Sequence, residues 1–169
     1  MSSIFRNTAQ ALRSYTGRRQ LIVAGIAWFQ PLTNAATRLW RRTGASRTHV
    51  VAVIGSYGKT TTVRALSTVL CGNLHRYSAN NAGFFVNHAI LRIRPGQKHA
   101  VIEVGISGFD QMAPCAEVVR PDTVVVTSIG SEHGRSFGTL SATRSEKVKM
   151  VEALGRKGRA VLCHSALVR

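Results

Sequence analysis

The sequence predicts an α/β fold: a mostly parallel sheet with helices on both faces, of the P-loop nucleotide-binding type, preceded by a short helical N-terminal segment. Three observations point there. From residue 49 onward, short apolar runs of strand length alternate with segments of helical periodicity. Val50–Ile54 is a continuous apolar run, as in a strand covered on both faces, and Thr123–Val126 is a strong strand. Val50–Ile54 also runs directly into glycines and then into a helical pattern, the strand–turn–helix order from which parallel sheets are built.

Taken in order, residues 1–48 read as a separate element. They hold eight arginines and no acid, interleaved with Phe5, Leu12, Tyr15, Trp28, Phe29, Leu32, Leu39 and Trp40. One or two helices with basic and apolar faces are expected, broken near Gly17 and Pro31. Such helices suit docking on the following domain, or contact with a membrane surface or an anionic partner. Without a recognition motif they do not indicate specific nucleic-acid binding. Val50–Ile54 is the first strand. Residues 60–71 place Val63, Leu66, Val69 and Leu70 at helical spacing, Leu74–Ser78 reads as a weak strand, and Phe84–Leu91 as a helix. Ala100–Val104 is a strand. Gln111–Val119 is a short helix limited by Pro114, and Thr123–Val126 a further strand. Residues 139–154 form a helix with Leu140, Val148, Val151 and Leu154 on one side, and Ala160–Cys163 closes the pattern as a strand.

Bulk properties narrow the function. With 169 residues and 44% hydrophobic content, the chain has the makings of one globular domain with a sound core. Cys71, Cys115 and Cys163 lie far apart, which argues against a zinc site or a disulfide framework and suits a reducing compartment. The longest apolar run near the start, Leu21–Phe29, is about half a membrane span, and no signal-peptide cleavage pattern follows it. A cytoplasmic protein is expected, with association at the inner face of the membrane left open. The net charge of +16 is unevenly placed: residues 1–102 carry 14 Lys/Arg and no acid, residues 103–169 nine basic and seven acidic residues. That field favours polyanions such as nucleotides and anionic lipid.

The segment His49–Val63, HVVAVIGSYGKTTTV, is the most informative. A strand turning through Gly55-Ser56-Tyr57-Gly58 into a helix aims backbone N–H groups and a helix N-terminus at one point. Lys59 supplies an ammonium, Thr60 a hydroxyl fit for Mg²⁺, and Thr61 a second hydroxyl. ATP or GTP is the ligand such a loop suits. The spacing is shorter than the common G-x-x-x-x-G-K-[ST], because Val53 stands where that pattern requires glycine. In parallel sheets ligands sit beyond the carboxyl ends of the strands. Glu103 ends the apolar run Ala100-Val-Ile-Glu-Val, and Ser128-Ile-Gly-Ser-Glu132-His133 follows Thr123–Val126, so loop, carboxylate and imidazole are expected on one rim. A carboxylate in an apolar run needs a cation partner, Mg²⁺ or an arginine.

Gly-Ser-Tyr-Gly-Lys-Thr-Thr directly after a strand, Asn80-Asn81-Ala-Gly, Val-Ile-Glu103-Val-Gly, and His133 followed fourteen residues later by Lys147 together resemble the Mur ligases. The match covers residues 49–164 and is closest to the branch that adds D-alanyl-D-alanine to the UDP-muramoyl tripeptide. The resemblance implies an ATP-dependent carboxylate–amine ligase of peptidoglycan precursor synthesis, acting on an amino-acid or peptide-linked carboxylate through an acyl phosphate. It implies Mg²⁺, up to two ions: Thr60 and Glu103 toward the first, His133 and a carbamylated Lys147 (N6-carboxylysine) toward the second. Lys59 then neutralises the phosphates, and Asn80 and Asn81 shape the substrate side. Each has a plainer alternative, a local asparagine turn for the pair and an ordinary helix-surface lysine for Lys147.

On that resemblance residues 49–169 are an incomplete ATP-binding central domain behind the Arg-rich segment 1–48, which is too short to be a UDP-sugar-binding domain. The expectation is a partial chain that binds nucleotide without completing ligation. Two other classes stay open, another P-loop hydrolase or kinase, and a basic module for membranes or nucleic acid.

Overall fold

Val50–Ile54 is apolar throughout because both of its faces are covered. In the computed structural model, which describes residues 15–71, 83–130 and 139–163, this run lies in β1 (His49–Ile54) inside a four-stranded sheet. Its neighbours are β2 (His99–Glu103) and β3 (Thr123–Val126), and β4 (Arg159–Leu162) extends the sheet beyond β3. Every pairing is parallel. Val53 stands opposite Glu103, and Ile54 opposite Val126. Parallel neighbours require crossovers, and α2 (Lys59–Cys71), α3 (Gly83–Leu91), α4 (Met112–Val119) and α5 (Leu140–Glu152) fall within them.

The two-residue period of the strands divides the core. Val50, Ala52 and Ile54 face one way with Ile102 and Val126, against Ile90, Met112, Val119 and Met150 of the helices. Val51, Val53, Val101 and Val125 face the other way and are covered by Val63 and Leu66 of α2. Helices therefore lie on both faces, as the sequence predicts.

Three expectations need correction. The first concerns the N-terminal helix. It is not broken at Gly17 or Pro31: α1 (Tyr15–Arg42) runs as 28 continuous residues with Pro31 inside it. An interior proline costs about 3 kcal/mol, and tertiary bonds along the C-terminal half of α1 offset it. Asn34 Oδ1 accepts from Asn87 Nδ2 at 2.6 Å, and Trp40 Nε1 donates to Ile93 O at 3.2 Å. Arg41, 5% exposed, donates to the carbonyls of Ala45, Val119 and Arg120 and to Asp122 Oδ2. Asp122 Oδ2 in turn accepts the Val50 N–H at 2.8 Å, so this guanidinium ties α1 to the foot of the sheet.

The second correction concerns α5. Leu140 and Val148 are exposed, and the face turned inward carries Thr143, Glu146, Lys147 and Met150. Val151 and Leu154 still pack at the edge of the core. The buried polar groups have dedicated partners. Glu146 Oε1 accepts the Met112 N–H at 3.0 Å and thereby caps α4, whose own N-cap residue Gln111 makes no side-chain cap.

The third concerns Pro114. It does not limit α4, because it sits in the first turn, where its missing N–H would have had no intrahelical partner. The strand expected at Leu74–Ser78 lies outside the described residues, as do Asn80, Asn81 and His133.

Candidate nucleotide-phosphate site

At the carboxyl end of β1 the chain turns through Gly55 (φ +143°) and Gly58 (φ +79°) before α2 begins at Lys59. Both conformations disfavour a side chain. At Gly55 a Cβ would also stand 2.1 Å from Thr127 Oγ1 and 3.0 Å from backbone atoms of Ser128, so only glycine fits.

That closeness is how the loop is held. The segment after β3 braces it from the side. The Ser56 N–H donates to Ser128 O at 2.8 Å, and the Tyr57 N–H to Ser128 Oγ at 2.9 Å. Thr127 Oγ1 donates to Tyr57 O at 2.6 Å. Two loop N–H groups are thus committed to protein. Among the described residues, no hydrogen bond engages the N–H of Gly58, Thr60 or Thr61. These are donors at the N-terminus of α2, where the helix dipole adds partial positive charge.

Around this turn the structure gathers four of the sequence-selected side chains. Lys59 is 8% exposed, and its Nζ donates to Gly55 O and Ser56 O, both at 2.9 Å. The ammonium therefore closes its own loop. Thr60 Oγ1 donates to Glu103 Oε2 at 2.9 Å, bringing the first turn of α2 onto the end of β2. Lys147, 3% exposed, reaches from α5 to Ser56 Oγ at 2.8 Å. Tyr57 is exposed and its ring lies close to Gly130, leaving no room there for a side chain.

The Ser56 hydroxyl is a node that the sequence reading missed. It donates to Gly130 O at 3.0 Å and accepts from the Gly130 N–H at 2.9 Å and from Lys147 Nζ. One buried oxygen so joins the glycine loop, the segment after β3 and α5. Thr127 and Ser128 were missed as braces for a related reason. The signal was present as two hydroxyls directly after a strand, but its meaning depends on β3 lying beside β1.

Glu146 and Lys149 support α5 nearby. Lys149 Nζ lies 2.6 Å from Glu146 Oε2 and 3.3 Å from Asp110 Oδ1. Burial alone would raise the Glu146 pKa, but the Lys149 hydrogen bond, the Met112 N–H and the Lys149 charge outweigh it, and the carboxyl is held below its usual range. Lys149 is raised, chiefly by its hydrogen bond to Glu146.

A cavity of about 360 Å³ opens beside the rim between α1, α3 and α4, lined by Asn34, Asn87, Ser107, Gln111 and Cys115 among others. Burial pushes the Cys115 thiol up to about 11, so it lines the cavity as a neutral group rather than a nucleophile. Among the described residues, no cluster of three or more His, Cys, Asp or Glu could hold a metal ion. Thr60 Oγ1 and Glu103 Oε2 nevertheless place two hard oxygen donors side by side, and that donor set fits Mg²⁺.

A parallel α/β sheet, a glycine turn between strand and helix, and a lysine and hydroxyls at the helix start define the class of nucleotide-binding α/β domains. The family follows from comparison: the model of the Mur ligase middle domain matches residues 53–167, and the chain belongs to that family. It is 32% identical over 104 residues to the UDP-N-acetylmuramoyl-tripeptide–D-alanyl-D-alanine ligase of Borreliella burgdorferi, covering 60% of this chain and 22% of that protein. The Escherichia coli K12 enzyme of the same name is 30% identical over 116 residues, 67% of this chain and 26% of that one. Among solved structures, the MurF ligase of Thermotoga maritima in complex with ADP superposes with a TM-score of 0.69 at 25% identity, covering 79% of this chain and 31% of that one. A MurF structure from Acinetobacter baumannii gives 0.72 at 23% identity, covering 79% of this chain and 30% of that one, a likeness of fold. The chain thus spans about a quarter of the length of its curated relatives.

Proposed function

We propose that the chain is the nucleotide-binding part of an ATP-dependent, amide-forming ligase of peptidoglycan precursor synthesis. The observation that carries the proposal is the 2.9 Å contact between Thr60 Oγ1 and Glu103 Oε2 at the foot of the N-terminus of α2. It brings together a hydroxyl, a carboxylate and unpaired backbone donors beside a buried ammonium, the groups a magnesium–triphosphate needs. The ADP bound by the Thermotoga maritima relative supports the same ligand here.

In this reading the N–H groups of Gly58, Thr60 and Thr61 bind phosphate oxygens. Lys59 gives up a carbonyl contact within its loop to neutralise the transferred phosphoryl group. Thr60 and Glu103 would hold Mg²⁺, which when bound offsets the charge that builds up between the β- and γ-phosphates. The substrate carboxylate attacks the γ-phosphorus, ADP leaves, and an amine then displaces phosphate from the acyl phosphate to give the amide. Lys147 as a neutral amine, adding CO₂ with loss of one proton, would give a carbamate that with His133 would hold a second ion. Asn80 and Asn81 contribute to the substrate side, and the cavity beside the rim, rich in side-chain amides, suits a peptide portion of the substrate.

Residues 49–169 form the ATP-binding unit and residues 1–48 an N-terminal segment attached to it, and the protein works in the cytoplasm. A crystal grown with a non-hydrolysable ATP analogue, Mg²⁺ and bicarbonate tests this. Phosphates against Lys59 and Thr60, with Glu103 and a modified Lys147 turned toward them, would support it. A nucleotide bound elsewhere would refute it.

A further inference from the structure

The outer face of α1 is apolar where a solvated helix should be polar. Phe29, Leu32 and Leu39 are 65%, 69% and 64% exposed, and they fall at i, i+3 and i+10, with exposed Ala36 at i+7. This spacing makes one continuous stripe along three turns. The opposite face is spoken for: Asn34, Thr37, Trp40 and Arg41 are turned onto the domain. Single exposed leucines mean little, but an aligned row of large side chains at such exposure marks a contact surface.

The charge of the element selects the occupant. The sequence of α1 holds five arginines and no acid. Of those with described side chains, Arg42 is exposed beside the stripe, Arg38 is partly exposed and bridged to Glu117, and Arg41 is buried. No acidic residue precedes Glu103 anywhere in the chain. An apolar stripe with an exposed arginine beside it, on an acid-free helix, is the pattern of a segment lying in the plane of an anionic bilayer. Among the described residues no helix is long and apolar enough to cross a membrane, so the contact is peripheral.

We infer that α1 docks the protein on an anionic lipid surface through Phe29, Leu32, Ala36 and Leu39, with arginines at the headgroups. This stands apart from the nucleotide chemistry, because none of these residues touches the glycine loop.

Co-sedimentation of the full chain with vesicles of phosphatidylcholine alone, or mixed with phosphatidylglycerol, tests it. A Phe29→Trp variant, read as the difference from the parent emission of Trp28 and Trp40, adds a fluorescence readout of burial. The expected result is binding to the anionic vesicles only, with a blue shift at position 29. A Leu32→Glu/Leu39→Glu variant should bind at least tenfold more weakly. Both leucines face solvent, so its thermal transition should match the parent, and the milder Leu32→Gln/Leu39→Gln variant serves if it does not. Absence of binding to anionic vesicles would overturn the inference. So would equal binding by parent and variant, which would mean net charge alone acts. A self-associating chain that the variant renders monomeric, without lipid binding, would instead assign the stripe to a second copy.

Discussion

Removing the Ser56 hydroxyl should loosen three segments at once. Ser56 is 2% exposed, so water cannot readily replace the lost oxygen. Ser56→Ala deprives the Gly130 N–H and carbonyl of partners at 2.9 and 3.0 Å, and takes from the Lys147 ammonium an acceptor at 2.8 Å. A buried neutral group left unpaired costs about 1–3 kcal/mol, while Lys147, which has a further partner, loses only one of its interactions. Because the three losses share one site and relax together, they do not add fully. The expected destabilisation is about 3 kcal/mol, a large share of the roughly 5–15 kcal/mol of a typical domain. Urea unfolding followed by circular dichroism is the assay. At a slope of about 2 kcal/mol per molar, the midpoint should fall by about 1.5 M. Affinity for Mg-ADP should fall with it, because the glycine loop loses its tie to α5. A change below about 0.5 kcal/mol with unaltered ADP binding would refute the idea that this hydroxyl organises the site.

Gly55→Ala should destabilise by about 2–5 kcal/mol through its backbone angle and its clash with Thr127. Gly96→Ala, with positive φ but open space around it, should cost only about 1 kcal/mol, and thermal melts of the pair separate sterics from backbone strain. Arg41→Met should cost about 2–3 kcal/mol in chemical denaturation, since it takes the guanidinium from the carbonyls of Val119 and Arg120 and leaves Asp122 with the Val50 N–H alone. Glu146 gives a pH dependence. Its folded pKa lies below its unfolded value of about 4.3, so its contribution is complete above that value and is lost as pH falls through the lower folded value. Glu146→Gln should be less stable than the parent at pH 7 by about 1–2 kcal/mol, and the gap should narrow in denaturation curves taken below pH 4.

The described strands, and the meeting of the glycine turn with Glu103, were legible because their causes are local or follow from parallelism. Val50–Ile54 betrays two-sided burial by lacking any polar position. Once β1 and β2 run parallel, Glu103 at the end of one must neighbour the turn at the end of the other, which is where Thr60 meets it. Two of the three errors share another cause, bonds between residues far apart in sequence, whereas Pro114 turned on where α4 begins. Pro31 should end a helix by local rules, yet Trp40, Arg41 and Asn34 hold α1 from the far side of the domain. Hydrophobic periodicity placed Val151 and Leu154 correctly but turned Leu140 and Val148 inward, because much of the inner face of α5 is polar. Glu146 serves the N-terminus of another helix, and Lys147 serves the glycine loop. The bracing by Thr127 and Ser128 depends on the strand order β2-β1-β3-β4, which no residue pattern states.

If Thr60 and Glu103 hold Mg²⁺ together, they act as one magnesium-dependent unit on the nucleotide. Calorimetric titration of ADP into the parent, Thr60→Val, Glu103→Gln and the double variant, each with Mg²⁺ and with EDTA, tests it most directly. Mg²⁺ should tighten binding to the parent, either substitution should abolish most of that gain, and the double variant should lose little more. Undiminished magnesium-dependent binding in Glu103→Gln would contradict it.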